Sequence, residues 1–206
     1  MGVEVLIVQH GDKVRSAGDP GLTSVGHQQA AKVASWLSEN HRGVRSIWAS
    51  PLRRTRETAA PIAAAFQLGV QTDDRLRERM NWDDDTAVSL EQFLAEWERA
   101  SGDPSYRPAT GDSSSAAAER FIAALVNIEE QVQDGVVIVV AHGGVTVDAL
   151  RVLVGDDEVR GTNLNLIENG VPCGAITELR VDDGVVSVVG YPSTEHLDET
   201  SSHRPV

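Results

Sequence analysis

Short apolar runs and stretches of helical spacing alternate along the chain. The apolar runs predict strands at residues 3–8, 44–49, around 70, 136–140, 175–181 and 185–189. Between these runs, apolar residues that recur every three or four positions predict helices at residues 23–40, 50–67, 89–100, 113–133 and 145–154. Strands that alternate with helices indicate an α/β fold, here a three-layer α/β/α sandwich with a mostly parallel central sheet.

Two of the predicted helices have recognisable starts. Ser50-Pro51 favours a helix start, because serine caps helices and proline is tolerated at the first helical position. Ser89-Leu90-Glu91-Gln92 has the spacing of a capping box, in which a serine and a glutamine bond each other's backbone.

The alternation of strands and helices predicts one domain over residues 1–191. Residues 73–112 interrupt it: they are charged, contain Trp82 and Trp97, and end in a stretch rich in Gly, Pro and Ser. We expect this region to be a variable cover over a site. The polar residues 192–206 follow the last predicted strand and are expected to form a flexible C-terminal tail.

The net charge of −13 argues against nucleic acid or an anionic membrane as the main partner. An anionic substrate would therefore need a local cluster of cations in its site. Cys173 is the only cysteine, which excludes an internal disulfide and fits a reducing compartment. No apolar segment is long enough for a signal peptide or a membrane span, so we expect a cytoplasmic protein.

Two predicted strands end in the pair His-Gly, as His10-Gly11 and as His142-Gly143. In a parallel sheet the carboxyl ends of the strands lie at one edge, where ligands of α/β proteins bind. The two histidines are therefore expected to meet in one pocket. A single histidine at a strand end is more often structural, and the repetition of the pattern is what favours chemistry.

The stretch SPLRRTRETA places arginines in the first turns of a helix, where the helix dipole disfavours cations. This arrangement is expected when an anion such as phosphate is held there. We assign that role to Arg54, while Arg53 is expected to pair with Glu57 on the surface, at i, i+4 spacing.

These residues together fit phosphoryl transfer. His10 is expected to attack phosphorus, and Gly11 to let the backbone approach the phosphate closely. His142 and Arg54 would stabilise the charge on the phosphoryl oxygens, and Glu78 would protonate the leaving oxygen. Glu78 has an alternative reading as a surface ion pair with neighbouring arginines. Metal ligands at a familiar spacing and nucleotide-binding loops are not recognised, so no metal ion and no cofactor are expected.

The ordered motifs LIVQHG, LTSVGHQQA, SPLRRTRETA, RLRE and VVAHGG resemble the histidine phosphatase superfamily, in its phosphoglycerate mutase-like branch. The resemblance implies an α/β sandwich, a phosphorylated His10, Glu78 as proton donor and His142 as the second phosphate-pocket histidine. It also implies Arg54 as a phosphate ligand and Thr23 near the pocket. The full predicted site has three catalytic residues, His10, Glu78 and His142, and six substrate-binding residues, which are Gln9, Gly11, Lys13, Thr23, Arg54 and Gly143.

One position departs from the family pattern, because Gln9 stands where the family typically has arginine. The amide of Gln9 can still donate a hydrogen bond, but it has no charge. A charge-assisted hydrogen bond is worth roughly 1.5–3 kcal/mol. The loss corresponds to about 10- to 100-fold in transition-state stabilisation. We expect Lys13 to compensate for the missing charge, with Arg15 as a second candidate.

The pattern favours a phosphatase acting on a small phosphorylated metabolite. The resemblance leaves two alternatives. One is a phosphoglycerate mutase, although mutases of the family carry a longer insertion between the glutamate and the second histidine. The other is a non-catalytic module that binds a phosphorylated ligand. Trp82 and the run Asp83, Asp84 and Asp85 suggest a small or partly cationic leaving group, although the run also reads as a solvated turn. Apolar positions on the last strands make a homodimer possible.

Overall fold

A computed structural model describes residues 2–82, 88–162 and 164–198 of the chain. In these residues the strands are β1 (Val3–Gln9), β2 (Val44–Ala49), β3 (Val70–Thr72), β4 (Gly135–Ala141), β5 (Ile176–Asp182) and β6 (Val185–Ser193). The helices are α1 (Ser24–Asn40), α2 (Arg53–Phe66), α3 (Leu90–Gly102), α4 (Ser114–Val132), α5 (Gly143–Val154), α6 (Asp156–Gly161) and α7 (Leu166–Asn169). Two short 3-10 helices cover Asp74–Leu76 and Glu195–Leu197.

The strands form one sheet in the order β3-β2-β4-β1-β5-β6. The first four strands of this order run parallel, while β5 is antiparallel to β1 and β6 is antiparallel to β5. The predicted α/β sandwich with a mostly parallel sheet is therefore confirmed. The strands β1 and β4 lie side by side in its centre, so their carboxyl ends meet at the middle of one edge.

Helices cover both faces of the sheet because side chains alternate between the faces of a buried strand. On one face, Val5 and Ile7 of β1 belong to a core shared with α4 and α5, which includes Phe121. On the other face, Leu6 and Val8 belong to a core shared with α1 and α2. Since both faces of β1 are buried, the strand reads as a continuous apolar run in the sequence.

The region around Ser50 differs from its prediction. The helix begins at Arg53 with Leu52 as its N-cap, and no side chain caps it. Ser50 is instead fully buried at the end of β2, where its hydroxyl contacts His142. The predicted serine cap is therefore wrong, because the strand end uses this hydroxyl in a contact that spans 92 residues of sequence.

Two other boundaries also differ. Helix α5 begins at Gly143, two residues earlier than predicted, so that both glycines after His142 lie in its first turn. The capping box of α3 at Ser89 and Gln92 is confirmed, although that helix continues to Gly102.

Residues 192–198, the first part of the predicted C-terminal tail, follow the surface of the fold. Strand β6 continues to Ser193, and Lys32 donates a hydrogen bond to the carbonyl of Leu197 at 2.8 Å. Leu197 also packs against the core beside α1 and α2, which explains why this polar stretch follows the surface of the fold. Residues 199–206 lie outside the described residues.

The described residues contain no helix with the length and apolar content needed to cross a bilayer. Most of residues 73–112 are described, and they place α3 and Trp82 beside the carboxyl edge of the sheet, where they line a cavity with His10. The predicted acidic turn at Asp83, Asp84 and Asp85 lies outside the described residues.

Candidate active site

The sheet brings His10 and His142 together by strand register. Gln9 of β1 is paired with Ala141 of the parallel strand β4, so the next residues of the two strands are neighbours. Their imidazole rings lie edge to face with centroids 5.4 Å apart. Ser50 joins them because β2 pairs with the other side of β4, and Ala49 is opposite Val140.

His10 is buried with one ring nitrogen already engaged. Its Nδ1 lies 2.7 Å from the carbonyl oxygen of Gly11. Since a carbonyl only accepts, Nδ1 carries the proton, and Nε2 keeps its lone pair. Burial and then the nearby Arg54 charge lower the pKa of His10 to about 3. The ring is therefore a neutral imidazole at physiological pH, the form in which a histidine is a nucleophile.

His142 is oriented by Ser50. Its Nε2 lies 2.8 Å from Oγ of Ser50, and that same oxygen accepts a hydrogen bond from the backbone N–H of Leu52. The Ser50 hydroxyl can donate its own proton to Nε2, an arrangement that would place the proton of His142 on Nδ1. In the described part of the chain, nothing hydrogen-bonds this fully buried Nδ1. Burial, the charge of Arg54 and the neighbouring His10 lower the pKa of His142 well below its usual value.

Glu78 is held by the first turn of α5, directly after His142. The backbone N–H groups of Gly144 and Val145 donate to its two carboxylate oxygens at 2.9 and 2.8 Å. The backbone N–H of Arg79 donates to the same group at 2.8 Å. A carboxylate at a helix N-terminus is favourably placed, because the free N–H groups and the helix dipole are both positive there. Glu78 is thus bound by backbone, which differs from the alternative of a surface pair with arginines.

Arg79, the residue after Glu78, ties this segment to the helices. Its guanidinium is 2.9 Å from Asp148 of α5, and both side chains are buried. The same group lies over the ring of Trp97, 3.9 Å from its centroid. Burial raises the pKa of Asp148 to about 7, although the charge of Arg79 opposes this.

A cavity of about 470 Å³ opens in front of His10. Four of the nine predicted site residues line it, namely His10, Lys13, Arg54 and Glu78. Its remaining walls are formed by Arg15, Ser16, Gly18, Pro20, Met80, Asn81, Trp82, Leu90, Phe93, Leu94 and Trp97. Arg54 is buried and donates to the side chain of Asn81 at 3.2 Å. The surface pair predicted for Arg53 and Glu57 is confirmed, with Nε and Oε1 2.7 Å apart.

Gly11 and Thr23 have packing roles that the sequence did not reveal. A Cβ on Gly11 would lie 2.5 Å from the carbonyl oxygen of Gly26, so the glycine is required by contact with α1. The N–H of Gly11 donates to Oγ1 of Thr58 at 3.0 Å. The Thr23 hydroxyl accepts from the N–H of Gly26 as N-cap of α1 and donates to the carboxylate of Asp12.

Gln9 and Gly143 lie behind the cavity. Gln9 is buried, and its Nε2 is 3.5 Å from the position of a Cβ on Gly143. Besides Arg54, the cations that line the cavity with His10 are Lys13, whose charge helps to lower the pKa of His10 after burial and Arg54, and Arg15. Within the described residues, no group of three or more His, Cys, Asp or Glu side chains is arranged to hold a metal ion.

Comparison with known proteins gives a family and a fold. The model of the histidine phosphatase superfamily (branch 1) matches residues 5–193. A protein of Escherichia fergusonii named probable phosphoglycerate mutase GpmB is 31% identical over 207 residues, which cover 95% of this chain and 88% of that protein. The uncharacterized protein Rv0525 of Mycobacterium tuberculosis is 42% identical over 86 residues, and this match covers 38% of this chain and only 42% of that protein.

A solved structure has the same fold. It is the native structure of mycobacterial glucosyl-3-phosphoglycerate phosphatase Rv2419c, with a TM-score of 0.68 and 23% sequence identity. The superposition covers 94% of this chain and 100% of that one.

Proposed function

The chain belongs to the histidine phosphatase superfamily, and from this premise we propose that it hydrolyses a phosphate monoester through a phosphohistidine on His10. One observation carries the proposal. The neutral ring of His10, with Nδ1 bound to the Gly11 carbonyl, lines a cavity together with Arg54 and Glu78. A nucleophile, a cation for the phosphate and an acid for the leaving group are the three parts that this reaction needs.

In the first step, Nε2 of His10 attacks phosphorus and forms a P–N bond while the ester P–O bond breaks. Glu78 gives its proton to the leaving oxygen, so the product is a neutral alcohol. Arg54 and the Nδ1–H of His142 donate to the phosphoryl oxygens, on which charge is spread in the transition state. Hydrogen bonds to three backbone N–H groups keep the Glu78 carboxyl at a fixed place for this transfer.

In the second step, water attacks the phosphohistidine and gives a proton to the Glu78 carboxylate. The P–N bond breaks, inorganic phosphate leaves, and His10 returns to its neutral form. No net proton is lost from Glu78 over the cycle, because the proton given to the alcohol is recovered from water.

Lys13 supplies the cation that Gln9 lacks in this proposal. Lys13 lines the cavity and its charge acts on His10, whereas Gln9 is buried against the first turn of α5. Lys13→Ala is expected to weaken inorganic phosphate binding and to lower kcat/KM by about tenfold, the value of one charge-assisted hydrogen bond. Unchanged phosphate affinity and turnover in this variant would remove Lys13 from the mechanism.

Phosphoglycerate mutase is a second candidate, because the relative from Escherichia fergusonii carries that name. Mutase and phosphatase share the phosphohistidine and differ in whether the phosphoryl group passes to an alcohol or to water. The interval between Glu78 and His142 supports the phosphatase, since it is shorter than expected for mutases of the family, which carry a longer insertion between the glutamate and the second histidine. Incubation with 3-phosphoglycerate distinguishes them: a mutase forms the isomeric ester, and a phosphatase releases inorganic phosphate.

The proposal is tested with 4-nitrophenyl phosphate in the presence of a metal chelator. We expect turnover by the unaltered chain, none by His10→Ala, and unchanged turnover by His27→Ala, whose imidazole is 59% exposed. Radiolabelled substrate is expected to leave an acid-labile label on the protein only while His10 is present. Phosphate binding without turnover would favour the non-catalytic binding module, and Gln9→Arg would then show whether the missing charge is the cause.

A further inference from the structure

Helix α3 presents an apolar face to the cavity. Leu90, Phe93, Leu94 and Trp97 all line the cavity, and their i, i+3, i+4 and i+7 spacing places them on one side of the helix. This face does not belong to the main core, since Ala100 is the one buried residue of α3 in the described chain. Leu90 is 47% exposed and Leu94 is 53% exposed.

The helix is attached to the domain at its other end. The hydroxyl of Ser114 donates to the carbonyl of Ala100, and Arg151 donates to the carbonyl of Ser101. Arg79 donates to the hydroxyl of Ser101. The C-terminal end of α3 is therefore fixed, while the apolar residues of its first two turns extend over the cavity.

Two further residues continue the apolar wall. The only polar atom of the Trp82 side chain, Nε1, donates a hydrogen bond to the carbonyl of Val88 at 3.1 Å. The indole therefore offers only hydrocarbon to a ligand. Met80 also lines the cavity, and its side chain carries no charge.

The charged lining residues come from other parts of the chain. Lys13 and Arg15 belong to the loop after β1, Arg54 belongs to α2, and Glu78 is the one acidic residue among the described lining residues. The lining is thus of two kinds: the cations, which with His10 form what we call the cationic half, and the apolar residues of α3 with Met80 and Trp82, which form the apolar half. A phosphate monoester with its phosphate at His10 would place its leaving group against α3.

We propose that this protein selects phosphate monoesters with an apolar leaving group, alkyl or aryl, which binds against Leu90, Phe93, Leu94 and Trp97. The inference rests on the proposed phosphatase function and adds the chemical class of the substrate. It replaces the small or partly cationic leaving group suggested by the sequence. A cation in the apolar half would leave water, and Glu78, the one acidic residue among the described lining residues, is already bound by three backbone N–H groups. Apolar contacts do not offset the cost of removing a charge from water.

The test measures binding and needs no turnover. Alkylphosphonates from methyl to hexyl are titrated into the full chain by calorimetry, since their P–C bond is not hydrolysed. Each methylene buried against α3 is expected to tighten Kd by about threefold to fourfold. Leu94→Ala is expected to reduce this gain per methylene, and its half-exposed position makes it compatible with folding. Val189→Ala, which removes an exposed valine from β6, is the matched control and is expected to keep the gain.

The outcomes separate the two proposals. A gain in affinity with chain length that Leu94→Ala reduces supports the apolar site. A flat series, or a gain that Leu94→Ala leaves unchanged, overturns it, even if the chain hydrolyses 4-nitrophenyl phosphate. An absence of hydrolysis with an intact chain-length series would refute the phosphatase and keep the apolar site.

Discussion

At the scale of single residues, we propose that the hydroxyl of Ser50 selects which nitrogen of His142 carries the proton. The hydroxyl accepts from the backbone N–H of Leu52 and lies 2.8 Å from Nε2 of His142, to which it can donate its own proton. The proton of His142 would then be on Nδ1, where it can reach a phosphoryl oxygen. Ser50 does not need to touch the substrate in this arrangement and acts as a positioning residue.

Ser50→Ala is expected to lower kcat/KM by about tenfold, because one hydrogen bond of about 1–1.5 kcal/mol no longer selects the tautomer. Nitrogen chemical shifts of His142 are expected to show a mixture of tautomers in the variant and one tautomer in the unaltered chain. Ser46→Ala removes a buried serine hydroxyl within β2, which accepts from the indole N–H of Trp48, and serves as the control. A single tautomer in Ser50→Ala would show that Ser50 has no such role.

Much of the candidate site follows from the sequence, and Ser50 shows why some of it does not. His10 and His142 are recognisable because each follows a buried strand, and parallel strands bring their carboxyl ends together. Ser50 also follows a strand, but the adjacent proline makes a helix cap the obvious local reading. Its contact with His142 depends on the order of strands in the sheet, which short-range patterns do not contain.

At the scale of elements, the N-terminus of α5 is the part that joins Glu78 to His142. His142 is the N-cap of this helix, and Gly143 follows it. The backbone N–H groups of the next two residues, Gly144 and Val145, donate to the carboxylate of Glu78. Gly144 leaves the space for this contact. A Cβ on Gly144 would lie 2.6 Å from Oε1 of Glu78 and equally close to the ring of Trp97.

Gly144→Ala is therefore expected to displace the Glu78 carboxyl and to lower kcat by about a hundredfold, the lower range for loss of general acid catalysis. The loss is expected to be larger for alkyl phosphates than for 4-nitrophenyl phosphate, whose leaving group needs little protonation. Gly161→Ala is the control, because no heavy atom lies within 4 Å of the added Cβ. Equal losses for both classes of substrate would contradict the role of Glu78 as proton donor.

The elements themselves follow from the sequence where local signals and packing agree. The capping box of α3 and the apolar run of β1 are examples, since each depends on neighbours in the chain or on burial of both strand faces. The last residues are the counterexample. Residues 192–198 are polar, so their pattern predicts fraying, whereas the backbone contacts of Leu197 and the ring of His196 dock them on the fold.

At the scale of the whole molecule, buried neutral histidines make stability depend on pH. Burial lowers the pKa of His10 from 6.5 to about 3, so the folded chain excludes a proton that the unfolded chain takes up in this range. Stability contributed by this neutral ring is present above pH 6.5 and is lost as pH falls towards 3. The slope is about 1.4 kcal/mol per pH unit for each such histidine.

We expect His10→Gln to lose less stability than the unaltered chain when denaturant unfolding at pH 7 is compared with pH 5. The difference between the two proteins isolates His10, because other buried groups are common to both. Asp148 acts in the opposite direction, since its raised pKa of about 7 makes the folded chain bind the extra proton. An identical pH dependence in both proteins would mean that folding does not lower the pKa of His10.

Two of the three hydrogen bonds that hold Glu78 join residues 66 and 67 positions apart, and the contact of Ser50 with His142 spans 92 positions. Contacts of such separation form late in folding, because the chain must lose the entropy of closing long loops first. The backbone hydrogen bonds within helices α1 and α4 are local, so these helices can form early. After dilution from denaturant, helix content is thus expected to return before catalytic competence, and the recovery of activity reports the final ordering of the chain.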